Sequence, residues 1–171
     1  MTSSKRPTKQ PDSPGNTIRD RNIPTSGSNR KTRRRVAREL ALQGLYQWYV
    51  AGGAATNIEA QLRDSTQFLR ADEEYLSQLL AGVLADAKEL ETLIQPYLDR
   101  DFKELSPVEI SILLIGAYEL KARIEMPYRV VINEAVELAK IYGGTHGHKY
   151  VNGVLDKLAG ELRPIETAPK P

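Results

Sequence analysis

The segment that begins Ser106-Pro107-Val108-Glu109 constrains this chain more than any other, because an almost wholly apolar run follows a strong helix-start signal. Serine can accept an orphan amide, proline has no amide to leave unpaired, and glutamate three places on can reach back to the cap. Beyond that start, Val108, Ile110, Ile112, Leu113, Leu114, Ile115 and Leu120 leave little polar face. A helix apolar nearly all round belongs in the interior. The rest of the chain then has to supply the helices that enclose it.

The periodicity predicts those helices. Over residues 33–50, Ala37, Ala41, Leu45 and Trp48 share one face, and Gly52-Gly53 ends the run. Asn57 reads as the cap of a second helix carrying Ile58, Leu62 and Leu69. From about Asp72, Leu76, Leu79, Leu80, Val83, Ala87, Leu90 and Ile94 recur at i, i+3, i+4 spacing until Pro96 interrupts. Met126-Pro127 breaks the central helix. Residues 128–142 follow with Val131, Ala135, Leu138, Ala139 and Tyr142 inward and Gly143-Gly144 as a stop. Residues 147–162 bury Val151, Val154, Leu155, Leu158 and Leu162 before Pro164. No period-2 alternation interrupts this pattern, so the fold class is all-α, a compact bundle of six to seven helices over residues 31–165 with a short tail at 166–171.

Residues 1–29 are rich in Ser, Thr, Pro, Gly and Asn and poor in large apolar side chains, a composition expected to stay disordered. Ten Lys/Arg against Asp12 and Asp20 give residues 1–35 a net charge of +8, whereas positions 36–171 carry 14 basic and 20 acidic residues, a net of −6. The basic end culminates in Arg33, Arg34, Arg35 and Arg38 on the first helix. Positive charge at a helix start opposes the dipole, so a bound polyanion explains the cluster better than stability does. A solubilising tail is the bland alternative.

Other chemistries are poorly supplied. With no cysteine there is no disulfide, thiolate zinc site or cysteine nucleophile. The loop from Gly143 to Lys149 resembles a phosphate loop only superficially, since it lacks the glycine spacing, the Ser/Thr after lysine and the preceding strand. His146 and His148 read as cap or solvated residues, Glu119 and Arg123 as an i, i+4 surface pair, and Asn133 and Glu134 as a pair that satisfies backbone groups. No cofactor or metal is expected, and neither is catalysis. The longest apolar run, residues 112–118, is far short of the roughly 20 that span a bilayer, which favours a cytoplasmic protein.

Five blocks carry a family resemblance: Arg-Arg-x-Ala-Arg-Glu-x-Ala-x-Gln-x-Leu-Tyr-x-Trp from Arg34 to Trp48, Leu80 to Val83, Tyr118 to Leu120, Pro127 to Lys140, and His-Lys-Tyr-Val-Asn-Gly-Val-Leu-Asp-Lys from His148 to Lys157. In that order they resemble the NusB family of bacterial transcription antitermination factors. The resemblance implies two three-helix subdomains, binding to the boxA element of nascent ribosomal RNA leaders, and partnership with ribosomal protein NusE. NusA, NusG and RNA polymerase would join through the complex. It maps RNA contacts onto Arg34, Arg35 and Arg38, extended by Arg33 and Lys31, with Tyr46 on the same helix. Lys149 and Tyr150 would supply a charge and a stacking face, and Glu109 would lie at the NusE interface. A similar helical domain precedes ribosomal RNA cytosine methyltransferases, but this chain has no cofactor segment and no cysteine for that reaction.

Overall fold

A computed structural model describes residues 26–171, with side chains from Asn29 onward. The leader expected to be disordered lies outside the described residues except for its last few positions, which are helical. The helices are α1 (Ser26–Ala51), α2 (Ala55–Leu62), α3 (Glu73–Ile94), α4 (Pro107–Ala122), α5 (Tyr128–Tyr142), α6 (Gly147–Leu162) and the single turn α7 (Pro164–Thr167). Among the described residues there is no strand.

The central helix is α4, with Ile110, Ile112, Leu113, Leu114, Ile115, Ala117 and Leu120 all at most 1% exposed. Ser106 starts it as expected, its hydroxyl accepting the Glu109 amide at 3.1 Å. One layer, α1 to α3, packs on one side of α4, and α5 and α6 pack on the other. One contiguous apolar core runs through both layers. Gly116 lets α6 approach: a Cβ there would lie 2.6 Å from a Leu155 methyl.

The helices α3, α5 and α6 begin where their sequence signals place them. Asp72 caps α3 by accepting the Tyr75 amide at 3.1 Å, and two glutamates in the first turn favour the positive dipole end. Gly143 ends α5 for reasons of space and not of left-handed backbone, because its φ is −81° and a Cβ would sit 2.5 Å from the Ala139 carbonyl oxygen.

Several expectations need correction. The first helix begins at Ser26, about two turns before the expected start at residue 33, and α2 is capped at Ala54 and not at Asn57. Leu69 is 89% exposed in a 3-10 turn whose neighbour Phe68 is buried instead. Tyr142 is 39% exposed, and the supposed tail at 166–171 begins inside α7. Finally α4 stops at Ala122, before Met126-Pro127. Arg163 explains that stop by donating to the carbonyls of Leu120, Met126, Arg123 and Glu119 at 2.7, 2.8, 2.9 and 3.3 Å, which satisfies the helix end from across the bundle.

Candidate nucleic-acid interface

Successive side chains turn by about 100° around a helix, so Arg33, Arg34, Arg35 and Arg38 cannot share one face. The structure divides them. Arg38 points into the core, 3% exposed, and its fork meets Glu119 at 2.8 Å on both oxygens. Tyr75 donates its hydroxyl to the same carboxylate at 2.6 Å. Burial works against the Arg38 charge, but the bonds and charge of Glu119 outweigh it and hold the guanidinium pKa above its usual value. Burial, followed by the Glu119 charge, pushes the Tyr75 phenol up as well. Arg38 is thus a buried counter-ion, turned away from the solvent a phosphate would occupy, and Glu119 is not the surface partner of Arg123.

Arg35 is half-exposed and donates to both oxygens of Glu134, at 3.2 and 3.1 Å. That pairing, through the hydrogen bond first and the charge second, raises its pKa. Glu134, itself buried, thus ties α5 to α1 through arginine side chains and not through backbone groups, whereas Asn133 is exposed. The charges that remain outward are Arg30, Lys31 and Arg33, with Arg34 half-buried beside them. They sit from the second turn of α1 onward, so the argument from opposition to the helix dipole no longer applies to them.

Arg34 lies with its guanidinium carbon 4.6 Å from the centre of the Tyr75 ring, and Arg123 approaches that ring at 4.9 Å. The Arg34 Nε is enclosed without a hydrogen-bond partner. Between α1 and the start of α5 opens a cleft of about 280 Å³, lined by Arg30, Lys31, Arg34, Arg38, Met126, Val130 and Glu134.

A second basic cluster gathers at the start of α6. Lys149 is exposed and Tyr150 half-buried, its ring packed on the core and covered by the Arg100 guanidinium at 5.0 Å. The Tyr150 hydroxyl is enclosed without a well-formed hydrogen bond; burial, then nearby Asp99, raises its pKa. A cleft of about 390 Å³ holds Arg100, Lys149, Tyr150 and half-buried Glu109 together. Residues assigned to RNA and to a protein partner therefore meet at one place. Beside it, a cleft of about 510 Å³ is lined by Lys140, Lys149, His146 and the glycine loop. His146 occupies the α6 cap position at φ 68°, but its side chain makes no capping bond. Tyr46 is 44% exposed on α1, about 18 Å along the axis from Arg34.

Sequence reasoning missed Arg100 and Lys140. Asp99-Arg100-Asp101 reads as a solvated turn, while Lys140 in the last turn of α5 reads as an ordinary dipole partner. Val130 in the first turn of α5 lines the cleft at the α1 cluster and Lys140 in its last turn lines the cleft beside Lys149, a rise of about 15 Å along the helix.

The NusB family model matches residues 35–160. The transcription antitermination protein NusB of Nitrosospira multiformis is 73% identical over 133 residues, covering 78% of this chain and 84% of that protein. The NusB of Paraburkholderia phytofirmans is 56% identical over 137 residues, with 80% and 95% covered. Among solved structures, T. maritima NusB superposes with a TM-score of 0.68 at 29% identity, covering 75% of this chain and 91% of its own. A crystal structure of antitermination factors NusB and NusE in complex with double-stranded RNA gives a TM-score of 0.67 at 25% identity, with 75% and 96% covered.

Proposed function

The chain belongs to the NusB family, and from that premise we propose that it is a transcription antitermination factor which binds the single-stranded boxA element of nascent ribosomal RNA leaders together with NusE. Through that complex it joins NusA, NusG and RNA polymerase in the bacterial cytoplasm, acting by binding and not by catalysis. Among the described residues no helix is long and apolar enough to cross a membrane. One observation carries the RNA reading: one cationic cluster stands by the first turns of α5 and another by its last, the second beside the half-buried Tyr150 ring that the Arg100 guanidinium covers. Backbone charge with stackable planes is the combination single-stranded RNA requires.

Arg33 and Arg34, with Arg35 at their edge, hold phosphates at the α1 end. Lys149 holds one at the α6 end, where Tyr150 and Arg100 form a stack for a base. Tyr46, further along α1, offers an exposed ring. Glu109, in the same cleft as Lys149, faces NusE and sets the boundary between RNA and protein partner.

Titration of a boxA-type single strand over a range of salt tests this reading. Replacing Arg33 and Arg34 together with alanine should reduce the salt dependence of log K by about 0.7 for each phosphate no longer neutralised. Glu109→Lys should weaken NusE recruitment while leaving affinity for RNA alone equal or slightly higher, because an interface charge acts mainly on its own partner. An unchanged salt slope, or equal affinity for boxA and a scrambled strand, would refute it.

A further inference from the structure

We propose that the cleft between the start of α1 and the start of α5 receives one unstacked base of the bound RNA, with Val130 and Met126 as its floor and Arg34 and Glu134 at its edge. This deepens the RNA-binding reading and rests on it. The cleft differs from a phosphate cradle in two respects. Its floor is apolar: Val130 is 41% exposed, and Met126 is buried beneath the arginines. A carboxylate, Glu134, stands in its wall and repels a phosphate, although Arg35 and Arg38 lie within 4 Å of it.

A nucleobase suits both features. Its ring faces are apolar enough to lie on Val130 and Met126, and its edge carries donors and acceptors side by side. Arg34 lines the cleft, and a guanidinium carries five N–H donors to offer the edge of a base. A ring nitrogen or carbonyl oxygen of the base accepts from it. Glu134 takes one hydrogen bond on each oxygen from Arg35, and a carboxylate has room to accept another from a base amine or imide. Arg30 and Lys31 at the rim, with Arg33 nearby, meet the flanking phosphates. At about 280 Å³ the cleft is the size of one planar heterocycle with its water, and too small for a folded partner. All four bases present an acceptor next to a donor, so the cleft sets the register of the strand more than it selects a base.

The test starts with the RNA, using full-length protein and a boxA-type single strand in which each nucleotide in turn is made abasic. Removing the inserted base should weaken binding about tenfold without changing the salt slope, as expected when one base interaction disappears and every phosphate stays held. Val130→Trp fills the cleft without altering charge. It should cost about as much with intact RNA, and should cost nothing further with the strand lacking that base. A 2-aminopurine probe at the same position should change its emission on binding wild-type protein. That readout survives if Val130→Trp lowers the melting temperature.

If base removal costs the same in wild type and in Val130→Trp at every position, the cleft holds no base and the proposal fails, while boxA preference in wild type still stands. If deletion of residues 1–25 abolishes the effect of Val130→Trp, the chain's own leader is the occupant, and the proposal fails in that way. No preference of wild-type protein for boxA over a scrambled strand would instead overturn the functional reading beneath it.

Discussion

Arg38→Ala separates the buried arginine from the outward ones proposed to meet RNA. The substitution would leave the Glu119 carboxylate, whose side chain is 2% exposed, with the Tyr75 hydroxyl in place of two 2.8 Å charge-assisted bonds. Breaking a buried pair by removing one partner costs about 3–5 kcal/mol. For a domain of this size, each kcal/mol lowers the melting temperature by about 3 °C, so a fall of roughly 10–15 °C is expected. The double variant Arg38→Met with Glu119→Leu should recover most of that, because an apolar pair of similar volume needs no compensating charge. Tyr75 keeps the Met126 sulfur at 3.4 Å and Glu134 keeps Arg35, so neither is stranded. Thermal unfolding followed by circular dichroism reads the stability of both variants. Salt titration of RNA binding on the folded double variant then decides the role: its slope should equal that of wild type. A double variant that melts normally yet shows a slope smaller by about 0.7 would make Arg38 a phosphate ligand and refute the argument from burial.

Two further outcomes rest on interactions across the bundle. Arg163 satisfies four carbonyls at the α4–α5 turn, so Arg163→Lys, which cannot reproduce the fork, should destabilise by about 3 kcal/mol in urea; no shift in the midpoint would show those carbonyls to be satisfied otherwise. The Tyr128 amide, followed by Arg163, holds the Glu166 carboxylate below its ordinary value of 4.5. Its contribution is therefore present at neutral pH and is lost as pH falls through that value and then through the lowered folded one. Glu166→Gln should flatten the acid limb of stability against pH, and an identical acid limb would contradict this. At the α6 end, Tyr150→Ala and Arg100→Ala should each weaken boxA binding about tenfold, and less than additively because they belong to one stack, whereas Tyr150→Phe should retain most of the affinity. A Tyr150→Ala protein that melts early but binds normally once folded would make the ring purely structural.

The parts of the fold legible in the sequence are those governed by local rules. The Ser106 cap, the Asp72 cap, the periodic face of α3 and the starts of α5 and α6 all depend on residues within one or two turns of each other. The start of α1 was not legible, because its first two turns are polar throughout and offer no apolar period to detect. Phe68 in place of Leu69 could not be foreseen either: in a short 3-10 turn, tertiary packing decides which neighbour is buried.

The basic cluster was legible as chemistry but its geometry was not, for a related reason. Arg38 and Glu119 are 81 positions apart and Arg35 and Glu134 are 99 apart, and the two carboxylates look like ordinary helix-surface residues when read one helix at a time. Once α4 and α5 are in place, those carboxylates neutralise half of the arginine cluster. The charge available to a polyanion then shifts toward the start of α1, to Arg30, Lys31, Arg33 and Arg34, and is complemented at the far end of α5 by Lys140, Lys149 and Arg100. A strand held only at the arginine motif would be anchored at one point and free to slide or pivot. On the proposed reading, one anchor by the first turn of α5 and one by its last fix its direction, and the second lies beside Glu109, where the proposed protein partner would meet the RNA.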